Sequence, residues 1–185
     1  LAQDRYGYDA TGARVWTERR IGGRPFVMTA ERDHMGRVTS TTLPTGLTLD
    51  RTLDGAGRIT GIGDYVGEVS YDASGLVASL SLGNGASTDY AFDALGRVTG
   101  VVSSGLDGTA IVALSLDLDR AGNLVGVEDN RLDDGQPMAG ATFAYDATYR
   151  LVGAELDPDR PHAESLDYAW DSAERLLDKT SSLGD

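Results

Sequence analysis

Hydrophobic and polar residues alternate in short runs along much of the chain, and turn-forming residues interrupt these runs. The alternation is clearest at Val112, Leu114, Leu116 and Leu118, which are separated by small or polar residues. A period of two places successive side chains on opposite faces of a β-strand. No segment has convincing helical periodicity. The pattern therefore predicts an all-β chain of about sixteen short strands, with connecting turns at residues 43–46, 83–85, 105–108 and 133–135.

One sequence pattern recurs eight times: aromatic, any residue, aromatic, Asp, two residues, Gly, Arg, aliphatic. The clearest copy is YAFDALGRV at residues 90–98. The copies are about 23 residues apart, which is typical of stacked supersecondary units. Their aspartates are Asp9, Asp33, Asp54, Asp72, Asp93, Asp119, Asp146 and Asp171.

The Asp and the residue three positions later predict the turn. Asp at the first position and Gly at the fourth favour a type I turn closed by a left-handed residue, which is the three-residue hairpin loop with a glycine bulge. Tyr149 and Glu174 stand in place of the Gly in the last two copies, where we expect strain or a different loop. In the other six copies the residue is Gly12, Gly36, Gly57, Gly75, Gly96 or Gly122.

This loop also predicts the register of each hairpin. The Asp should face the residue four positions later, so that Asp93 pairs with Arg97 on one face. The residue before the Asp should face the residue five positions after it, as Phe92 faces Val98 on the other face. One step further out, Tyr90 should face Gly100, a large side chain against a small one. The charged pair is expected in five copies, with Arg37, Arg58, Arg97, Arg150 and Arg175.

Composition excludes several kinds of function. The 185 residues carry a formal charge of −13, which argues against nucleic-acid binding because phosphates require clustered Lys and Arg. There is no Cys and there are two His, which excludes disulfides, thiolate metal sites and multi-histidine centres. No apolar run is long enough to span a membrane. The densest basic cluster, Arg19 and Arg20 with Arg24, is interpreted as a solvated loop.

We expect no catalytic, metal or cofactor site. The sequence 117–123 superficially resembles a calcium loop but has too few carboxylates, and Asp119 is already explained as a turn residue. His34 lies in a predicted hairpin loop and His162 in a predicted surface loop, and neither has a nucleophile elbow nearby. The aromatic residues are assigned to cross-strand packing rather than to sugar binding.

The Tyr-x-Tyr-Asp-x-x-Gly-Arg repeats resemble the YD repeats of Rhs (rearrangement hot spot) proteins. They are similar also to the repeats of insecticidal toxin-complex C components, bacterial wall-associated proteins and teneurins. The resemblance implies consecutive antiparallel hairpins stacked into a curved or spiralling sheet, as a segment of a hollow shell. Bacterial shells of this family carry an Asp-Pro-x-Gly self-cleavage motif. Here Asp157-Pro158 is followed by Asp159-Arg160, so this activity is not carried over.

The resemblance leads to a structural function. We expect residues 1–185 to be a single YD-repeat segment, a fragment of a polymorphic toxin whose shell encloses and shields a C-terminal toxic effector. Its partners would be the rest of the shell, the enclosed toxin and secretion machinery, with no nucleic acid. The protein would be secreted or at the cell surface, after residence in the bacterial cytoplasm. The alternative is a teneurin-like adhesion module that binds a cell-surface protein or glycan. An enzyme that acts on polysaccharide is the least favoured hypothesis.

Overall fold

The computed structural model describes residues 2–133, 135–158 and 161–184, and for Asp133 the backbone alone. These residues form sixteen β-strands and no helix, which confirms the all-β prediction and the number of strands. The strands are β1 (Ala2–Tyr8), β2 (Arg14–Ile21), β3 (Arg24–Arg32), β4 (Val38–Thr42), β5 (Thr48–Leu53), β6 (Ile59–Ile62), β7 (Val66–Tyr71), β8 (Val77–Leu82), β9 (Ser87–Phe92), β10 (Val98–Ser104), β11 (Ala110–Leu118), β12 (Leu124–Asp133), β13 (Gln136–Tyr145), β14 (Leu151–Leu156), β15 (Glu164–Trp170) and β16 (Leu176–Ser181).

The strands are hydrogen-bonded in the order in which they occur in the sequence, from β1 to β16, as one open antiparallel sheet. Each repeated Asp lies in the turn between an odd-numbered strand and the next strand. The chain divides into two compact units. Unit 1 comprises Leu1–Ser70 and Ser79–Gly85, and unit 2 comprises Tyr71–Ala78 and Ala86–Asp185.

The predicted register is correct next to the turn and wrong one step further out. Phe92 faces Val98, but Tyr90 faces Val101 rather than Gly100, which faces Ala91. A β-bulge at the residue six positions after the Asp causes the shift. The equivalent shift between β13 and β14 makes Phe143 face Ala154, while Gly153 faces Ala144. Each glycine therefore faces an alanine rather than the predicted aromatic residue, because the bulge places two residues opposite one.

The turns at the other ends of the hairpins follow simple local rules. Residues 43–46 and 105–108 form three-residue loops like the Asp turns, with Gly46 and Gly108 at positive φ. Gly22 and Gly23 form a two-residue loop with positive φ at both positions, as a type I′ turn requires. Within the predicted turn 133–135, Asp134 lies outside the described residues, as do Asp159 and Arg160.

The interpretation of the basic cluster as a solvated loop is wrong. Arg19 and Arg20 lie in β2, and Arg24 is the first residue of β3. Arg19 pairs with Asp4 on the neighbouring strand at 2.9 Å. The alternation is hard to see here because arginine occupies adjacent positions that point to opposite faces of the sheet.

Within each unit the sheet is one layer thick. There, the strand contacts are between strands that are adjacent in sequence. No side chain of the described residues is fully buried, and the hydrophobic residues with the least exposure are Ala113, Ala154 and Leu166. Stability therefore depends on contacts between neighbouring hairpins within the layer rather than on a core between two layers.

Candidate functional site

The recurring feature of the fold is the Asp turn, which has the same backbone geometry in all eight copies. In the turn that begins at Asp93, the Gly96 N–H donates to the Asp93 carbonyl at 3.0 Å, and the Asp93 N–H donates to the Arg97 carbonyl at 2.9 Å. Gly96 has φ 77°. The equivalent bonds form at Asp9, Asp33, Asp54, Asp72, Asp119, Asp146 and Asp171, and positive φ occurs at Gly12, Gly36, Gly57, Gly75 and Gly122.

Each Asp carboxylate closes its own turn through two backbone N–H groups. Asp93 Oδ1 accepts the N–H of Leu95 at 2.8 Å and that of Arg97 at 3.0 Å. The other seven aspartates accept the N–H groups two and four residues later in the same way. This role explains why the residue is Asp, because an Asx turn needs a short acceptor side chain.

The second carboxylate oxygen binds the side chain four residues after the Asp. Arg97 Nε donates to Asp93 Oδ2 at 2.6 Å, and the equivalent ion pair forms in all five copies that carry Arg. In the copy at Asp119 the side-chain amide of Asn123 takes this role at 2.8 Å. The predicted charged pairs therefore form at the turns.

The arginines also bind the next turn along the sheet, which the sequence analysis missed. Arg97 Nη1 donates to the Asp119 carbonyl at 2.8 Å, and Arg150 Nη1 donates to the Asp171 carbonyl at 3.0 Å. Arg37 lies against the turn at Gly57, where an added Cβ would be 3.2 Å from Arg37 Cδ. One guanidinium thus holds its own turn and the following turn together. The spacing of the repeats is the only sequence signal for this contact.

In the copies at Asp146 and Asp171, the residue before the Asp connects its repeat to the preceding one. The Tyr145 hydroxyl donates to the Leu124 carbonyl at 2.9 Å, and the Trp170 indole N–H donates to the Leu151 carbonyl at 2.7 Å. The pairing of β12 with β13 ends at Gly126 and Thr142. The Leu124 carbonyl that accepts from the Tyr145 hydroxyl therefore lies outside the paired part of these two strands. A polar donor at the end of a large ring satisfies a carbonyl that would otherwise lose its partner.

The turns without glycine keep the same loop and place a non-glycine residue at positive φ. Tyr149 has φ 65° and Glu174 has φ 62°. Of the two expected outcomes, the structure has strain rather than a different loop. A left-handed conformation costs roughly 1 kcal/mol or more for a residue with a Cβ.

Replacing Tyr149 by glycine should therefore stabilise the protein by about 0.5–1 kcal/mol, because the strain is relieved and the residue is 63% exposed. Thermal and urea unfolding will measure the change. Ala147→Gly, two positions earlier in the same turn, is the matched control and should be destabilising, since Ala147 is not among the residues with positive φ. Equal effects of the two variants would contradict the assignment of strain to Tyr149.

The turns should also make the protein resistant to mild acid. Donation by the Arg97 backbone N–H and guanidinium lowers the pKa of Asp93, and the same bonds from Arg175 lower the pKa of Asp171. A carboxyl whose pKa is lowered by folding stabilises the protein above its unfolded pKa of about 3.9 and loses this contribution as pH falls through the lower value. We expect strand circular dichroism to persist from pH 7 to about 4.5 and to decline below about 4. Loss of structure between pH 5 and 6 would contradict this role of the turns.

The other candidate residues are not brought together into a metal-binding cluster in the part of the chain that the structure describes. No group of three or more His, Asp or Glu side chains there could hold a metal ion. Asp117 lies in β11, apart from the turn at Asp119. A hollow of about 570 Å³ includes Asp117, Glu128 and Asp157 in its lining. Asp157 Oδ1 accepts the Gly140 N–H at 2.8 Å, so this carboxylate is used in holding the backbone. No helix in the described residues is both long and apolar enough to cross a membrane.

Comparisons with known proteins agree with this geometry. Residues 71–106 match the family model of the RHS repeat, and this segment includes the turns at Asp72 and Asp93. No curated protein sequence matches the chain.

Solved structures of toxin complexes have the same fold. A structure of the Photorhabdus luminescens Tc holotoxin pore matches with a TM-score of 0.80 at 16% identity, over 97% of this chain and 11% of that chain. The crystal structure of TcdB2-TccC3 matches with a TM-score of 0.81 at 16% identity, again over 97% and 11%. The TcdB2-TccC3-Cdc42 structure gives a TM-score of 0.79 at 15% identity, over 98% and 11%.

The chain spans 11% of the length of these solved chains, so the likeness concerns the fold of a segment. The repeated Asp turns, the RHS repeat at residues 71–106 and the shared fold together confirm the resemblance to the YD-repeat (Rhs) proteins.

Proposed function

We propose that the chain is a wall segment of an Rhs-type shell that encloses a toxic polypeptide and shields it until delivery. The observation that carries the proposal is the single-layer sheet of eight hairpins, which matches the toxin-complex structures over 97% of the chain. A layer in which every strand is paired with its neighbours is suited to separating a cargo from its surroundings, because it presents no free strand edges except at its two ends.

The proposal gives the chain a steric role and no catalytic one. Its partners would be further repeats of the same shell, the enclosed polypeptide and secretion machinery, and the assembly would be secreted. The turn contacts support this role, since Arg97 and Arg150 join successive hairpins side by side at one margin of unit 2. The charge of −13 suits a surface that is soluble and repels its own copies.

Limited proteolysis of the complete parent polypeptide tests this function. We expect its C-terminal segment to resist protease while the repeats are folded, and to be degraded when the repeats are unfolded by urea. The same C-terminal segment expressed alone is the control and should be cleaved readily. A segment that is equally sensitive in both forms would contradict enclosure. Binding of the parent protein to cells without any protected segment would favour the adhesion alternative.

A further inference from the structure

The two faces of the sheet in unit 2 differ sharply in chemistry. Residues that face one another across the strand pairs of β9–β16 point to the same side of the sheet. One lateral row includes Tyr90, Val101, Leu114 and Asp129, and a second includes Leu116, Val127, Ala141, Leu156 and Glu164, so that each apolar row contains one carboxylate. These residues are half-buried against their neighbours in the layer. We name this side, which also carries Phe143, the apolar face.

The opposite side is acidic. Its paired positions in β9–β16 include six exposed carboxylates, Asp89, Asp117, Glu128, Glu155, Asp167 and Asp178. Glycine and alanine fill many of the positions between them, and no Lys or Arg stands at a described paired position of this side. We name it the acidic face. A surface of like charges is stable in contact with water and unfavourable against an apolar partner.

The chain exposes more surface than a compact protein of its size. Its solvent-accessible area is 12381 Å², whereas a globular monomer of 19.5 kDa exposes roughly 8500 Å². The difference is within the range buried in obligate interfaces, about 2000–5000 Å². Because the acidic face is stable in contact with water, we expect the apolar face to be the one that is buried against a partner.

The geometry points to the apolar face of unit 2 as the inner surface of the wall, where it contacts the enclosed polypeptide, with the acidic face turned to solvent. This inference rests on the proposed function. It adds which face of the sheet contacts the enclosed polypeptide and what kind of side chains make that contact. The occupant is a polypeptide segment with accessible apolar side chains, because the rows that it meets are mainly aromatic and aliphatic, with charged residues at Asp129, Glu164 and Lys179.

Binding of a defined peptide to the chain tests the inference. The probe is a fluorescein-labelled 24-residue peptide of Leu, Phe, Ser and Gly without charged residues, and the control peptide has Ser in place of Leu and Phe. Fluorescence anisotropy should show binding of the apolar peptide alone, with little change in 0.5 M salt. The double variant Val101→Thr and Val127→Thr keeps side-chain shape and strand propensity, and should weaken binding about tenfold.

Val102→Thr is the matched control, because Val102 neighbours Val101 and lies on the acidic face at 43% exposure. It should leave binding within about twofold, and circular dichroism checks that all variants fold. Absence of binding, or equal loss in both variants, would overturn the inference. So would a dimer in sedimentation that the double variant abolishes, since a second copy would then cover the face. Failure of the shell function would be seen separately, as loss of protease protection in the parent polypeptide.

Discussion

Asp93→Ala should lower the thermal unfolding midpoint by roughly 5 °C, the largest effect expected from a single turn substitution. The carboxylate accepts two backbone N–H groups and the Arg97 guanidinium, at 2.6–3.0 Å. Its loss also frees Arg97, which joins this turn to the carbonyl of Asp119. The substitution therefore loosens two neighbouring hairpins together, and differential scanning calorimetry will measure the shift.

Two controls separate this role of Asp93 from a general effect of charge. Asp93→Asn keeps one acceptor oxygen for the backbone N–H groups but loses the ion pair, and should lower the midpoint by about half as much. Asp89→Ala removes the same charge from an exposed position on β9 and should change the midpoint by less than about 1 °C. A similar effect of Asp93→Ala and Asp89→Ala would show that the turn bonds contribute nothing specific.

Gly96→Val should destabilise the protein by about 1–2 kcal/mol. Gly96 has φ 77°, which a β-branched residue strongly resists. The new Cβ would also lie 3.2 Å from Leu76 Cδ1 in the preceding turn, so the neighbouring side chain would have to move. Chemical denaturation of both proteins will give the difference in unfolding free energy.

Gly55→Val provides the same substitution at a turn position of a different kind. Gly55 follows Asp54 and is not among the residues with positive φ. A Cβ added at Gly55 would have no neighbouring atom within 4 Å. We expect its effect to be within about 0.5 kcal/mol of zero, as is usual for exposed positions without special geometry. If both valine substitutions lower the unfolding free energy equally, the left-handed conformation at position 96 does not explain why the residue there is glycine.

The sequence predicts the part of the fold that is encoded within a few residues. Asp and Gly at fixed spacing determine the loop, and the loop determines the pair of Phe92 with Val98. The same local logic explains why Tyr149 and Glu174 occupy unchanged loops, because the surrounding hydrogen bonds impose the turn on them.

The prediction fails where the decisive contact is not local. The bulge near Thr99 shifts Tyr90 from Gly100 to Val101, and nothing in the alternation of residues 98–101 distinguishes the two registers. The second role of Arg97 depends on a carbonyl 22 residues away. Pairing rules for adjacent strands predict a partner for Arg97 only within its own hairpin, because they do not include the next repeat.

The aromatic residues show the same limit. The sequence predicts cross-strand packing for the aromatic residues, and Tyr145 and Trp170 do face Leu151 and Leu176. Their polar atoms additionally bind carbonyls of the preceding repeat, at Leu124 and Leu151. The residue at this position is Tyr, Arg, Leu, Phe or Trp in different copies, and the cross-strand pairing rules alone do not predict a hydrogen bond to the preceding repeat.

Engineered disulfide formation tests most directly whether successive hairpins lie side by side in the observed register. The chain has no cysteine, so a double variant introduces a single pair of thiols. Cysteines at Val127 and Ala141, which face each other between β12 and β13, should form a disulfide on mild oxidation. Cysteines at Val127 and Thr142, on opposite faces, should remain reduced. Efficient bridging of the second pair, or of neither, would contradict the stacked-hairpin account.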